Sequence, residues 1–160
     1  MQVFDASSMI YAWDNYPVRQ FPGLWEWMVA EIEKKRLVMP GVAFEEVENK
    51  TPDCGEWLID NNLKQLAISS SILRDAVKIK GLLGIVGDNY HPKGVGENDI
   101  LIIAATRAHR AELVSEEARQ PMQPQELSKR KIPAVCNMAT VSVPCINFLE
   151  YIRRSEEIFR

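Results

Sequence analysis

Short apolar runs of strand length alternate with longer stretches of helical spacing along this chain, and that alternation restricts its fold more than any other feature. "QVFDAS" has the character of a short buried strand. It is followed at once by "SSMIYAWDNYP", where Ile10, Trp13 and Asp14 fall on successive helical turns before Pro17. The segment "PGLWEWMVAEIEKKR" is an amphipathic helix with Leu24, Trp25, Met28 and Ile32 on its apolar side. "RLVMPG" gives a second strand, and "GVAFEEVENK" a helix that stops before Pro52, ahead of the helical fragment "GEWLIDNN". "LKQLAIS" carries a weak strand pattern. In "SSSILRDAVKIKGLLG", serines cap a helix with Ile72, Ala76, Ile79 and Leu83 on one face. After the loop "DNYHPKGVGE" come the helix "NDILIIAATRAH" and the strand "AELVS", then a Gln/Pro-rich connection, "RQPMQPQELSKRKIP". The ending "CINFLEYIRRSEEIFR" reads as a strand or turn followed by a charged amphipathic helix. Alternation of this kind predicts an α/β fold with a central, mostly parallel sheet, helices on its faces, and ligands beyond the carboxyl ends of the strands.

The chain's 160 residues and 46% hydrophobic content suit one domain spanning 1–160 around a single core. A net charge of −3 excludes a passive binder of polyanions, so any action on nucleic acid requires a local basic rim or a metal. Cys54, Cys136 and Cys145 are odd in number and form no C-x-x-C pair. Neither a disulfide framework nor a zinc site is expected, which fits a reducing cytoplasm. No basic and apolar leader is visible, and no apolar run approaches the ~18 residues of a membrane span.

The acids lie where such a sheet would bring them together. Asp5 ends the first strand, Glu46 sits in the helix after "LVMPG", Asp99 begins the helix "NDILIIAAT", and Glu117 follows the strand "AELVS". Residues just past strand ends and in the first turns of the next helices point to one edge of a parallel sheet, so the four carboxylates are expected to meet there. Oxygen donors of this kind suit a hard cation, Mg2+ or Mn2+, which relieves their mutual repulsion. Glu45 and Glu116 stand beside Glu46 and Glu117 as alternatives. Asp99 alone also fits a helix N-terminal acid. His91 and His109 are isolated, which argues against a histidine base or a zinc site. The basic residues Lys129, Arg130 and Lys131, with Arg107, Arg110 and Arg119, are candidates for a rim that contacts phosphates.

Taken together, "VFDASSMIYAW", "GVAFEEVENK", "ENDILIIAATRA" and "ELVSEEA" resemble, in this order, the four acidic motifs of the PIN-domain nucleases. That family includes the VapC-like toxins of toxin-antitoxin pairs. The resemblance covers nearly all of the chain, and the ending "KIPAVCNMATVSVPCINFLEYIRR" is similar to a little-characterised PIN-like subgroup. It implies a three-layer α/β/α fold and a Mg2+- or Mn2+-dependent endoribonuclease that hydrolyses RNA phosphodiester bonds, the toxin of a type II pair with an antitoxin protein as partner. Asp5 and Asp99 would be the principal metal ligands, Glu46 a ligand directly or through water, and Glu117 the fourth acid. Ser7 and Ser115 would be polar neighbours. The competing expectation is a PIN-like protein- or RNA-binding module without activity. A phosphatase of the haloacid dehalogenase type would need a second Asp two residues after Asp5, where Ser7 stands. Finally, Trp25 and Trp27 cannot share one helix face. One of them, beside Phe21 and Pro22, is expected to be exposed as an anchor for a homodimer or an antitoxin.

Overall fold

The structure, a computed structural model, describes residues 1–160. Its elements follow in the order β1 (Gln2–Phe4), α1 (Ala6–Asn15), α2 (Pro22–Glu33), β2 (Leu37–Pro40), α3 (Gly41–Lys50), α4 (Pro52–Asp60), β3 (Gln65–Leu66), α5 (Ser70–Leu82), α6 (Glu97–Ala108), β4 (Glu112–Val114), α7 (Ile132–Cys136), β5 (Cys145–Ile146) and α8 (Phe148–Ser155). A 3-10 turn over Leu127–Lys129 lies within the Gln/Pro-rich connection. All five strands are parallel, in the order β3-β2-β1-β4-β5.

This order has a functional consequence. From β1 the chain winds outward through β2 to β3, then crosses back to lay β4 on the other side of β1. The winding reverses between β1 and β4. At such a reversal the connections leaving the two strands diverge, and a crevice opens beyond their carboxyl ends. Asp5 and Ser115 are the residues that immediately follow those two strands.

The strands are short because the helices on both faces supply most of the core. Val3, Phe4, Leu37, Val38, Met39, Leu113 and Val114 have no exposed surface, the pattern of a sheet covered on both sides. The Phe4 ring packs edge-on against Phe148 and Tyr151 of α8, at centroid distances of 6.2 and 5.0 Å. In α2, Leu24, Trp25, Met28 and Ile32 are all buried, as their spacing predicts, and so are Ile72, Ala76, Ile79 and Leu83 at α5. In α1 the buried face is instead Ala6, Ser8, Met9 and Ala12, while Asp14 is exposed.

The expected exposed tryptophan is not found. Trp25 is buried in a cluster with Trp13 and Trp57, and its Nε1 donates to the Tyr16 carbonyl at 2.6 Å. Trp27, on the neighbouring face, is covered by Tyr151 and Phe159, with ring centroids 5.1 and 5.4 Å away. The residues after α8 return over α2, so closely that a side chain at Gly23 would meet the Arg160 backbone at 2.8 Å. No helix is long and apolar enough to cross a membrane.

The connection between α5 and α6 is clamped to the 3-10 turn. Val95 N–H donates to the Arg130 carbonyl at 3.0 Å, and a Cβ at Gly94 would lie 1.8 Å from the Ser128 carbonyl oxygen. Gly94→Ala must therefore push the two segments apart. The expected result is a loss of about 1–3 kcal/mol in denaturant unfolding, with faster proteolysis of the 120–131 segment.

Candidate active site

Asp5 is placed by the backbone on either side of it. Its N–H donates to Val114 O at 3.2 Å, continuing the β1–β4 ladder, while its own extended conformation makes it the N-cap of α1. Its Oδ1 accepts from Ser8 N–H and from Ser7 Oγ, both at 2.8 Å, and its Oδ2 accepts from Ser115 Oγ at 2.6 Å and Ser7 Oγ at 2.9 Å. Ser8 Oγ in turn donates to Val114 O at 2.8 Å. The opening strand–helix turn and the end of β4 are thus joined through one carboxylate. Burial pushes the Asp5 carboxyl up from its ordinary 3.8 to about 6, against the lowering effect of the hydrogen bonds from Ser115, Ser8 and Ser7.

Asp99 lies in the first turn of α6, where its Oδ2 accepts from Gly96 N–H at 3.0 Å, so it does cap the helix. Burial raises its carboxyl too; the Gly96 hydrogen bond opposes this, the Glu117 charge adds to it, and Lys131 and Lys50 oppose it. Glu46, in the middle of α3, accepts from Asn98 Nδ2 at 3.3 Å. Glu117 donates its N–H to Ser115 Oγ at 3.1 Å.

Asp5, Glu46, Asp99 and Glu117 line one pocket of about 240 Å³, together with Ala6, Ser7, Ile10, Lys50 and Ile102. The structure therefore brings all four acids to one place. No three of them close to the spacing at which a metal ion would be held. Their neighbours have other roles: Glu45 is exposed outside the pocket, and the Glu116 carboxylate accepts from Phe148 N–H at 2.6 Å at the start of α8. Ser7 and Ser115 both touch Asp5, and Ser7 also accepts from Glu116 N–H at 2.9 Å.

The basic residues are divided. Arg107 is eight positions after Asp99 on α6, about 12 Å along the axis. It faces Asp75 at 3.8 Å and donates to Thr140 O at 3.2 Å. Arg110 lines a cleft with Met1 and Glu112, at the amino ends of the strands. Both lie away from the acids, because the helix that presents Asp99 at one edge of the sheet carries its last turn to the opposite edge. Arg119 is paired with Glu150, Lys129 with Glu126 at 3.1 Å, and Arg130 Nε donates to Pro124 O at 3.1 Å. Lys131, at the start of α7, is the member of this group whose charge acts on Asp99. Lys50 lines the pocket, though the sequence reasoning passed over it; its position one turn after Glu46 on α3 was the available clue.

The chain belongs to the family described as a domain of unknown function, DUF4411, whose model matches residues 2–159. No curated protein matches the chain in sequence. Among solved structures it is similar to VapBC2 from Rickettsia felis bound to a DNA fragment from its promoter, with a TM-score of 0.53 and 16% identity over 92% of this chain and 98% of that one. It is also similar to a toxin-antitoxin complex from Klebsiella pneumoniae, with a TM-score of 0.50 and 14% identity over 79% of this chain and 94% of that one. At these identities the likeness is one of fold, and the PIN-like α/β architecture expected from the sequence is the one observed.

The raised Asp5 carboxyl makes stability depend on pH in a definite direction. The folded chain holds this proton up to about pH 6, whereas the unfolded chain releases it near 3.8, so folding stability falls as pH rises between those values and is greatest below them. The shift corresponds to at most roughly 3 kcal/mol. Chemical denaturation at pH 4 and pH 7 without divalent ions should show wild type losing more stability with rising pH than Asp5→Asn, in which this titration is absent.

Proposed function

We infer that the chain is a divalent-metal-dependent ribonuclease of the PIN type, and that it acts as the toxin of a type II toxin-antitoxin pair. One observation carries the activity: carboxylates from four separate segments face one small pocket at the sheet's reversal point, and none of them is in an ion pair. Burial raises the Asp99 carboxyl and the Glu117 charge adds to it, a repulsion that a cation entering the pocket would relieve. No histidine or cysteine lines the pocket, and an all-oxygen donor set fits Mg2+ or Mn2+.

Asp5 and Asp99 would hold the ion, with Glu46 and Glu117 completing the set directly or through water. A divalent ion held there would supply Lewis-acid chemistry, polarising a phosphodiester and favouring its attack by water. The protein's own part is positional. Ser115, Ser7 and the Ser8 N–H fix the orientation of Asp5, and the Gly96 N–H fixes that of Asp99. Glu46 and Glu117 have longer stems and only partial burial, which lets them adapt to the ion and its waters. The toxin assignment is supported by the fold relatives, which are toxin-antitoxin complexes. An antitoxin protein would act by covering this pocket.

A second possibility, an inactive PIN-like module that binds RNA or protein, is favoured by the acids standing apart from coordination spacing. Calorimetry with Mg2+ and Mn2+ separates the two, since an inactive module gives neither binding heat nor a thermal shift. For the nuclease, the expected outcome is cleavage of single-stranded or structured RNA with Mg2+ or Mn2+ and none after chelation. Asp5→Asn should lower the rate at least about a hundredfold, the scale of losing a group that stabilises developing charge. Cleavage surviving both chelation and Asp5→Asn would refute this mechanism. Induced expression in a bacterial host should arrest growth for wild type and not for Asp5→Asn; equal growth of the two would refute the toxin role.

A further inference from the structure

Lys50 is held by no ion pair in the fold. It is exposed and is the single cation lining the four-acid pocket. It also lines the adjoining outer groove with Glu46, Gly96, Glu97, Asn98, Asp99 and Glu117, again as the single cation there. A lysine in the last turn of a helix favours the helix dipole wherever it points, so its position on α3 would be unremarked were it not for those surroundings.

Its backbone is fixed. Val47, one turn before it, is fully buried, and α4 packs so tightly on α3 that a Cβ at Gly55 would lie 3.1 Å from Glu48 Cα. Only the four-carbon stem is free, a compact point charge on a flexible arm above the carboxylates. Of the other basic residues expected near a substrate, all but Lys131 are elsewhere or engaged. Arg107 and Arg110 are at the far edge of the sheet, Arg119 pairs with Glu150, and Lys129 pairs with Glu126. Lys131 also acts on Asp99 by its charge but does not line the pocket, so a polyanion approaching the four carboxylates meets Lys50 as the unpaired cation of the pocket wall.

We propose that Lys50 is the substrate-phosphate contact of this pocket, its ammonium group donating to a non-bridging oxygen of the RNA phosphodiester that lies across the acids. This assignment rests on the nuclease function inferred above. The rival role is that of a counter-ion, which would hold the carboxylates together without touching substrate. The two roles differ in what Lys50→Met changes. A counter-ion acts on the acids, so its loss alters cation affinity and stability; a phosphate contact acts on the ligand, so its loss alters RNA affinity.

The test measures fluorescence anisotropy of a labelled single-stranded RNA oligonucleotide, with Ca2+ replacing Mg2+, across a salt series, for wild type, Lys50→Met and Lys50→Arg. Steady-state cleavage in Mg2+ and Mg2+-induced thermal shifts are measured on the same samples. Lys50→Met should weaken RNA binding about tenfold, as for one lost charge-assisted hydrogen bond. It should also flatten the slope of log affinity against log salt by about 0.7, the contribution of one single-strand phosphate contact. KM should rise while the Mg2+ shift is kept or enlarged, and Lys50→Arg should retain most of the affinity. Unchanged RNA affinity and salt slope in Lys50→Met, with an altered Mg2+ response, would assign Lys50 as a counter-ion and overturn the proposal. Wild type that cleaves RNA with the same KM as Lys50→Met would overturn this assignment and leave the nuclease function standing. Wild type that neither binds nor cleaves RNA would overturn both.

Discussion

The hydrogen bond from Ser115 Oγ to Asp5 Oδ2, 2.6 Å long and buried, joins residues 110 positions apart and is the contact on which the site depends. It forms only if β4 has taken its place beside β1 in register, with Phe4 opposite Val114. A one-residue slip would turn Ser115 to the other face of the sheet and leave a buried carboxylate without its shortest donor. The contact thus ties the strand order, the register and the first turn of α1 to the position of one acid. Burial alone would drive Asp5 toward its neutral form, and the three serines limit that effect without abolishing it.

Around that fixed point the pocket is assembled from parts of unequal stiffness. Asp5 and Asp99 are half of the acids lining it, and each is tied to a backbone N–H at the start of a helix, so their oxygens have defined directions. Helix N-termini favour negative charge, which offsets part of the repulsion between the two. Glu46 and Glu117 come from the middle of a helix and from a loop, with fewer constraints on their carboxylates. The pocket thus combines two carboxylates of fixed direction with two that are free to adapt. Glu116, which looks equivalent to Glu117 in the sequence, is instead spent on the first turn of α8.

Much of this was legible in the sequence because the relevant physics is local or periodic. Strand-length apolar runs followed directly by helical spacing identify a parallel sheet, and in such a sheet the carboxyl ends of the strands converge. That was enough to gather Asp5, Glu46, Asp99 and Glu117. The basic residues were less legible, because proximity in sequence to a site element says nothing about which end of a helix a side chain occupies: Arg107 follows Asp99 closely yet lies beyond two helical turns. The expectation that Trp25 or Trp27 is exposed failed for a related reason. Counting faces on α2 correctly separates Trp27 from Trp25, but no local pattern shows that Phe159 returns from the far end of the chain to cover Trp27. Lys50 was missed because a lysine ending a helix is ordinary in composition and distinctive only in company.

The distance in sequence between Asp5 and Ser115 also sets a timetable. Asp5 directly follows β1, whereas β4, which anchors it, is made only after two further strands and six helices. Until β4 emerges from the ribosome, β1 lacks one of its two neighbours and Asp5 lacks its shortest hydrogen bond. A ribosome-bound fragment therefore carries only part of the acidic set in an unsupported form. The complete pocket can form only once β4 and Glu117 have been made, 110 and more residues after the first of its acids.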